Sequence, residues 1–202
     1  MTRIYLIRHG ETVWNREGRL QGHLDSPLTL NGIRQAEAYG RKLAEISAGE
    51  ALSLHASPLG RTRQTAAIIC EIAGLPYNEI RFDARLKEIT LGEHDGYPGW
   101  EQLDRDFPEL AARRKADPWN YQHPGGESSE LVRRRVRPFL EELRQQGGVH
   151  LIVAHGVLNK VMRGVYRGLS EEECFALDRP QDGFYVLEDG REQFIRSYIE
   201  KI

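Results

Sequence analysis

Two apolar runs in this sequence end in the same way, on a histidine followed by a glycine. Residues 4–7 and residues 149–154 are short and mostly apolar, as is typical of strands buried on both faces of a sheet. His9 follows the first run and His155 follows the second. Open α/β sheets bind ligands at the carboxyl ends of their strands, so both histidines are expected at one edge of the sheet. A histidine there can equally be structural, and a catalytic role requires other residues at the same edge.

Helical and extended segments alternate between the two runs. Residues 29–47 have the apolar spacing of a helix, and residues 51–56 resume as a short strand. Ser57 and Pro58 resemble a helix start, with serine as the N-cap and proline at the first helical position. Gly-Leu-Pro at residues 74–76 should end that helix, because glycine favours a helix C-terminus and proline cannot continue it.

The central part of the chain has a different character. Residues 80–92 are predicted to be extended and to lead to Glu88. Beyond them, frequent glycine and proline interrupt regular structure, and aromatic and charged residues become common. We interpret residues 89–126 as a lid-like insertion made of helices or loops.

The remainder of the chain returns to alternating elements. A long helix is predicted after Gly126, and Pro138 should kink or break it, because proline lacks an amide donor and crowds the preceding turn. A second helix is expected over residues 157–168. Two final strands are expected near residues 184–187 and 193–198.

This alternation predicts the fold class. Strands that alternate with helices form a mainly parallel sheet with helices on both faces, so we expect a three-layer α/β fold with a small helical or loop insertion. At 202 residues the chain is long enough for one substantial core. We therefore expect a single domain over residues 1–202.

Composition and charge exclude several classes of protein. With 40% hydrophobic and 29% charged residues, the chain is neither disordered nor membrane-spanning, and a cytoplasmic location is expected. The net charge of −2 argues against a nucleic-acid-binding protein, since such proteins carry a basic excess. Cys70 and Cys174 lie far apart without the spacing of a zinc site or a disulfide framework, so both are expected to be inert thiols.

Arginines accompany the two histidines, and this combination indicates phosphate recognition. Arg8 precedes His9, and Arg61 falls in the first turn of a predicted helix, where the backbone already favours an anion. Guanidinium groups pair well with phosphoryl oxygens, although each residue alone could be structural. No metal is expected, because no further ligand accompanies His9 and His155 at a suitable spacing and the arginines would repel a cation. The motifs of serine hydrolases, P-loop NTPases and dinucleotide-binding enzymes are absent from the sequence.

Five ordered motifs carry a resemblance to a known family. They run from the amino-terminal Arg-His-Gly-Glu-Thr to the late Val-Ala-His-Gly, and their order and flanking structure make them highly specific. Together they resemble the histidine phosphatase superfamily, with the cofactor-dependent phosphoglycerate mutases as the reference branch. The motifs occupy residues 6–15 with 21–36, 57–66, 86–92, 124–128 and 153–156.

The resemblance implies a catalytic role for each matching residue. His9 matches the nucleophile that accepts the phosphoryl group, and Glu88 matches the proton donor. Arg8, Arg61 and His155 match the phosphate pocket. The chemistry is consistent, because neighbouring arginines favour the neutral imidazole that attacks phosphorus, and fixed cations stabilise the charge of the transition state.

The same resemblance implies the residues that bind the substrate. Asn15 matches an additional phosphate contact, Gln21 and Gly22 match a substrate-side contact, and Gly156 closes the last motif beside the pocket. The expected partner is a small-molecule phosphate ester, with no nucleic acid and no membrane. No cofactor is implied, and the chain is expected to be a monomer or a homodimer.

Three functions remain open within this family. A phosphatase that hydrolyses phosphate monoesters is favoured, because the segment between Glu88 and His155 is shorter than the basic insertion of the mutases and resembles the compact phosphatases of broad specificity. The compact basic run of this segment is residues 113–115. The Trp and Tyr side chains of the segment are predicted to pack the insertion rather than to line the site. His94 departs from the family pattern, in which an aromatic residue is usual. A cofactor-dependent phosphoglycerate mutase is the alternative, and a non-catalytic phosphoester-binding protein is disfavoured because all the pocket residues are present.

Overall fold

The computed structural model describes residues 2–197, and within that range six strands form one sheet. The strands are β1 (Thr2–Arg8), β2 (Leu52–Ala56), β3 (Arg81–Phe82), β4 (Gly148–Ala154), β5 (Gly183–Glu188) and β6 (Arg191–Arg196). Their order across the sheet is β3-β2-β4-β1-β5-β6. Strands β1 to β4 pair in parallel, whereas β5 and β6 are antiparallel at one edge.

Eight α-helices surround the sheet within the described range. Short 3₁₀ helices cover Tyr77–Glu79, Ala84–Leu86 and Gly92–His94. The α-helices are α1 (Val13–Arg16), α2 (Leu30–Ile46), α3 (Gly60–Ala73), α4 (Trp100–Asp106), α5 (Pro108–Ala116), α6 (Ser129–Gln146), α7 (Gly156–Arg167) and α8 (Glu171–Ala176).

Alternate side chains of the central strands supply two separate cores. On one face of β1, Ile4 and Leu6 pack with apolar side chains of α6 and α7. On the other face, Tyr5 and Ile7 pack with apolar side chains of α2 and α3. Strands β1 and β4 are buried on both sides, which explains their nearly continuous apolar sequences. The predicted three-layer α/β fold is confirmed.

The register of the parallel strands determines where the functional side chains emerge. Arg8 pairs with Ala154, and the amide of the following residue, His9, donates to the carbonyl of Ala154 at 3.0 Å. The amide of Ser57 donates to the carbonyl of Val153, also at 3.0 Å. Strands β1, β2 and β4 therefore end side by side, and the residues that follow them lie at one edge of the sheet.

The predicted start of α3 is wrong by two residues. Leu59 is the N-cap and Gly60 begins the helix, so Ser57 and Pro58 belong to the preceding loop. The cap comes from a distant residue, because the carboxylate of Asp25 accepts hydrogen bonds from the amides of Gly60 (2.7 Å) and Arg61 (3.3 Å). The hydroxyl of Ser57 therefore does not cap the helix, and it forms a different hydrogen bond that is described below.

Three other boundaries differ from the prediction. Residues 80–92 form only the short strand β3, followed by a 3₁₀ turn and irregular backbone. Helix α6 continues through Pro138 without a break. Strand β6 ends at Arg196, and Tyr198, which the sequence assigned to this strand, lies outside the described residues.

The predicted insertion contains one 3₁₀ turn, two short α-helices and irregular segments. Helices α4 and α5 follow the 3₁₀ turn at Gly92–His94, and His94 is buried against Phe107 and His123 at ring-centroid distances of 5.0 and 6.3 Å. His94 thus occupies an aromatic cluster, which suits the position where the family has an aromatic residue. The role of the insertion, residues 89–126, as a lid stays a prediction.

None of the helices in residues 2–197 combines the length and the apolar character needed to cross a bilayer.

A buried histidine pair between β2 and β4 should make stability depend on pH. His55 Nε2 lies 3.3 Å from His150 Nδ1, and His150 Nε2 donates to the carbonyl of Gly147 at 2.9 Å. Burial, together with His150 and Arg81, lowers the pKa of His55 to about 4. The unfolded chain binds this proton near pH 6.5 and the folded chain only near pH 4, so the free energy of unfolding falls as pH falls through that window.

We expect His55→Gln to reduce the slope of that dependence by up to roughly 1.4 kcal/mol per pH unit between pH 6.5 and 4. Urea unfolding of both proteins across this range measures the slope separately from any constant loss of stability. An unchanged slope would contradict a neutral, buried His55.

Candidate active site

The residues predicted from the sequence converge on one cavity at the carboxyl edge of the sheet. Its volume is about 140 Å³. His155 lies behind it, and its ring centroid is 5.3 Å from that of His9. The cavity is lined by eight of the predicted site residues, namely Arg8, His9, Asn15, Gln21, Gly22, Arg61, Glu88 and Gly156.

His9 is held as a neutral imidazole with one nitrogen free. The side chain is buried, and Nδ1 lies 2.8 Å from the carbonyl oxygen of Gly10, which can only accept a hydrogen bond. The proton is therefore assigned to Nδ1, which leaves the lone pair on Nε2. Burial lowers the pKa of His9 well below its usual value, and the charges of Arg61 and Arg8 lower it further.

A serine fixes the orientation of His155. His155 Nε2 lies 2.7 Å from Ser57 Oγ, and that oxygen accepts a hydrogen bond from the amide of Leu59 at 3.4 Å. If the hydroxyl donates its hydrogen to Nε2, the proton of the neutral ring is on Nδ1. Burial and the nearby Arg61 lower the pKa of His155 well below its usual value, so the ring carries no charge at neutral pH.

The guanidinium of Arg61 is buried and anchored from the loop after α1. Nη1 donates to the carbonyl of Leu24 at 2.7 Å and to the carboxylate of Asp25 at 3.0 Å. Nη2 donates to the carbonyl of Gly22 at 2.8 Å. These bonds fix the plane of the guanidinium without using Nε, which has no partner among residues 2–197.

Arg8 is anchored from the opposite side of the cavity. Its Nη1 donates to the carbonyl of Arg179 at 2.6 Å, and its Nε is buried without a partner among the described residues. Burial lowers the pKa of Arg8 to about 10, so the side chain stays charged at neutral pH. A side chain at Gly156 would place its Cβ 3.3 Å from Arg8 Nε and from Arg179 Cδ, which explains the glycine.

Three buried donors of the site thus lack a partner in the described part of the chain. They are Arg8 Nε, Arg61 Nε and His155 Nδ1, the last with the tautomer assigned above. A buried donor without an acceptor costs about 1 to 3 kcal/mol, so native proteins keep few of them. An anion with several acceptor oxygens would satisfy donors of this kind, and a phosphoryl group has that chemistry.

Glu88 is placed at the amino terminus of α7. Its Oε2 accepts a hydrogen bond from the amide of Val157 (3.1 Å), and its Oε1 accepts bonds from the amides of Leu158 (3.0 Å) and Ile89 (3.0 Å). Helix amino termini favour negative charge and orient carboxylates. Oε2 receives only one amide and retains acceptor capacity for a proton in the cavity.

The loop after α1 brings the remaining predicted residues to the cavity. Asn15 caps its own short helix, with its Oδ1 accepting from the amide of Thr12 at 3.1 Å. Gln21 is buried, and its Oε1 has no partner within residues 2–197. Gly22 has a φ of +51°, and a Cβ there would lie 1.6 Å from the carboxylate of Asp95, so only glycine fits.

Sequence reasoning missed four contributors to the site. Arg19, Trp100 and Arg179 line the cavity, and Ser57 holds His155. Arg19 and Arg179 are exposed side chains in irregular segments, where no periodicity marks them. Trp100 belongs to the aromatic set that was predicted only to pack the insertion, so that prediction is wrong for this residue.

The described residues contain no cluster of three or more His, Cys, Asp or Glu side chains that could hold a metal ion.

The sequence matches the family model of the Histidine phosphatase superfamily (branch 1) over residues 4–198. The chain belongs to this superfamily. The match spans nearly the whole sequence and includes every residue of the cavity.

Relatives within the histidine phosphatase superfamily carry two kinds of description. A Salmonella choleraesuis protein described as "Probable phosphoglycerate mutase GpmB" is 38% identical over 162 residues, which cover 78% of this chain and 71% of that protein. The solved structure of Bacillus stearothermophilus YhfR is 29% identical with a TM-score of 0.80, and the match covers 97% and 96% of the two chains. A mycobacterial glucosyl-3-phosphoglycerate phosphatase in complex with VO3 is 28% identical with a TM-score of 0.78, covering 96% and 98%.

Proposed function

We propose that this protein hydrolyses small-molecule phosphate monoesters through a covalent phosphohistidine on His9. The observation that carries the proposal is the state of His9, a buried neutral imidazole whose Nδ1 is held by the Gly10 carbonyl and whose Nε2 is free. It lies beside the guanidinium groups of Arg8 and Arg61, both of which lower its pKa. A nucleophile and fixed cations around one cavity suit phosphoryl transfer.

In the first step, the lone pair of His9 Nε2 forms a bond to phosphorus while the bond from phosphorus to the ester oxygen breaks. The leaving oxygen keeps that electron pair and takes a proton from the Glu88 carboxyl group, so a neutral alcohol departs. In the second step, water attacks the phosphohistidine, Glu88 takes a proton from it, and the bond to His9 breaks. Inorganic phosphate leaves and both side chains return to their starting states.

The remaining side chains stabilise the charge that moves during both steps. Arg8 and Arg61 line the cavity, and their guanidinium groups suit the equatorial oxygens of the phosphoryl group. His155 Nδ1 supplies a neutral donor to the same oxygens. Asn15, Gln21, Gly22 and Gly156 shape the rest of the pocket around the substrate.

The compact basic run of the insertion does not line the cavity that contains His9, which favours hydrolysis over the mutase alternative; the cations that line it beyond Arg8 and Arg61 are Arg19 and Arg179. A mutase has to retain an intermediate with a second acidic group, and residues 113–115 are the compact basic run in the insertion. Arg114 and Lys115 both pair with the carboxylate of Asp104, at 2.5 and 3.1 Å, and Arg113 is exposed and does not line the cavity. The mycobacterial relative described as a phosphatase is consistent with this choice, whereas the GpmB relatives support keeping the alternative.

A product assay with purified protein separates the two reactions. We expect inorganic phosphate as the main product from a panel of esters that includes 4-nitrophenyl phosphate, phosphoserine, sugar phosphates and 3-phosphoglycerate. The mutase alternative instead requires conversion of 3-phosphoglycerate to 2-phosphoglycerate with stimulation by 2,3-bisphosphoglycerate. If neither reaction exceeds that of the His9→Ala protein, the enzymatic proposal fails and a phosphoester-binding role replaces it.

Replacing Glu88 by glutamine should affect substrates according to their leaving groups. An alkyl phosphate needs a proton on its leaving oxygen, so its first-turnover rate should fall by about 10²- to 10⁴-fold. 4-Nitrophenolate leaves without a proton, so its release in the first turnover should be largely retained while later turnovers are slow. Rapid-quench assays with both substrates measure this. Glu93→Gln is the control, because Glu93 is an exposed neighbour outside the cavity. An equal loss of rate with both substrates in the Glu88→Gln protein would contradict the role of Glu88.

Replacing Ser57 by alanine should weaken catalysis through His155. Without the hydroxyl, the neutral ring of His155 has no fixed tautomer, and we expect kcat/KM to fall by roughly 10-fold. The affinity for vanadate, which depends on the same donors, should fall in parallel, whereas the urea midpoint should change little. A loss of stability with unchanged kcat/KM would show that Ser57 is only structural.

A further inference from the structure

A second cavity adjoins the one that contains His9. Its volume is about 210 Å³, and it lies between the predicted insertion, α7 and α8. The side chains that line both cavities are those of Ile89, Leu91, Trp100, Val157 and Arg179. A phosphate ester that places its phosphoryl group at His9 would therefore have its alcohol portion at the entrance to the second cavity.

Aromatic side chains make up much of the wall of this second cavity. Trp100 and Tyr121 pack against His123 at ring-centroid distances of 5.7 and 4.9 Å, and Trp119 and Phe175 also line the space. Trp100 and Phe175 are 40% and 50% exposed, so part of each ring is accessible to a ligand in this cavity. Such walls bind planar rings by stacking and edge-to-face contacts.

Two of the three cationic side chains that line the second cavity are already engaged. Arg114 pairs with Asp104 and lies over the ring of Trp100 at 4.3 Å. Lys160 donates to the backbone carbonyl of Phe175, and its Nζ lies 4.8 Å from that ring. Burial lowers the pKa of His123 to about 4, so His123 adds no charge at neutral pH. Arg179 lines both cavities and is exposed, so positive charge lies where the two cavities meet, whereas the rest of the wall is mainly aromatic and apolar and suits a planar ring.

We infer that the alcohol half of the substrate carries a planar aromatic or heteroaromatic ring that occupies this second cavity. The inference rests on the proposed hydrolysis at His9 and adds the chemical class of the substrate.

Two esters with the same leaving-group chemistry test the inference. 2-(2-Naphthyl)ethyl phosphate and butyl phosphate both release a primary alkoxide, so their intrinsic reactivity is similar and a difference in kcat/KM reports binding of the ring. We expect the naphthyl ester to be preferred by at least about 10-fold. Trp100→Ala and Phe175→Ala should each reduce this preference by about 3-fold or more. Tyr77→Ala, which removes a ring of 40% exposure outside both cavities, should leave it unchanged.

The outcomes separate this inference from the proposed function. Hydrolysis of both esters at equal kcat/KM would overturn the aromatic site and leave the phosphatase proposal intact. A preference that neither Trp100→Ala nor Phe175→Ala changes would overturn the assigned location. A kcat/KM for 3-phosphoglycerate well above that for the naphthyl ester would also overturn it. No hydrolysis of any ester would remove the proposed function on which the inference rests.

Discussion

Replacing His9 by asparagine should lower kcat for 4-nitrophenyl phosphate by at least about 10⁴-fold, because the proposed reaction has no other nucleophile. Asparagine can keep a donor near the Gly10 carbonyl, so the loop after β1 should retain its conformation. The cations of the pocket remain in place. We therefore expect vanadate and inorganic phosphate to bind to the variant with affinities within about 10-fold of those for the unsubstituted protein.

A second buried histidine provides the matched control for this prediction. His55→Gln removes an imidazole of similar burial that lies between β2 and β4, away from the cavity. We expect it to retain activity at neutral pH. Steady-state assays of both variants, with circular dichroism to verify folding, make the comparison. Activity of the His9→Asn protein within 10-fold of the control would contradict a covalent role for His9.

Replacing Arg61 by methionine should lower kcat/KM by about 10²- to 10³-fold, the range found when a preorganised donor to a developing charge is removed. The loss should exceed that of a simple phosphate contact, since Arg61 also holds the carbonyls of Gly22 and Leu24. Its removal should also raise the pKa of His9, because Arg61 contributes to lowering it. The acidic limb of the pH profile should therefore move to higher pH.

Arg63→Met is the matched control, since Arg63 lies on the same helix and does not line the cavity. Its guanidinium lies 3.9 Å from the ring centre of Phe82 and donates to the carbonyl of Pro58. We expect kcat/KM to change by less than about 3-fold in this variant. Equal losses in the two arginine variants would indicate a general effect of charge or stability in place of phosphate recognition at Arg61. Full pH profiles of kcat/KM measure both effects in one experiment.

The sequence was sufficient to predict the sheet and the edge at which the site lies. The reason is physical, since parallel strands that are buried on both faces need continuous apolar runs, and their carboxyl ends align once β1, β2 and β4 pair. His9 and His155 follow two such strands directly. Their convergence could therefore be inferred from position alone, and the family motifs supplied the partners Arg61 and Glu88.

Contacts between distant segments account for what the sequence could not predict. Serine followed by proline is a good local start for a helix, but Asp25 caps α3 from outside and Ser57 bonds to His155 instead. Arg179 follows Arg8 by 171 residues and reaches the cavity through an irregular segment that no periodic pattern identifies. Tertiary contacts of this kind override local propensity.

The aromatic residues of the insertion illustrate a different limit. A run rich in Trp, Tyr and His indicates packing, and His94 does pack inside the insertion against Phe107. Trp119 is buried, yet it also lines the second cavity together with Trp100. Sequence patterns distinguish buried from exposed positions, but a side chain that packs on one side and borders a cavity on the other needs three-dimensional information.

The most direct measurement of the central claim is the chemical identity of the covalent intermediate. Rapid acid-free quenching of the Glu88→Gln protein with radiolabelled 4-nitrophenyl phosphate, followed by proteolysis at alkaline pH and mass spectrometry, locates the phosphoryl group. We predict a single label on His9 that appears with the burst of 4-nitrophenolate and then passes slowly into inorganic phosphate. A label on another residue, or release of phosphate with no covalent protein label during the burst, would contradict the phosphohistidine mechanism.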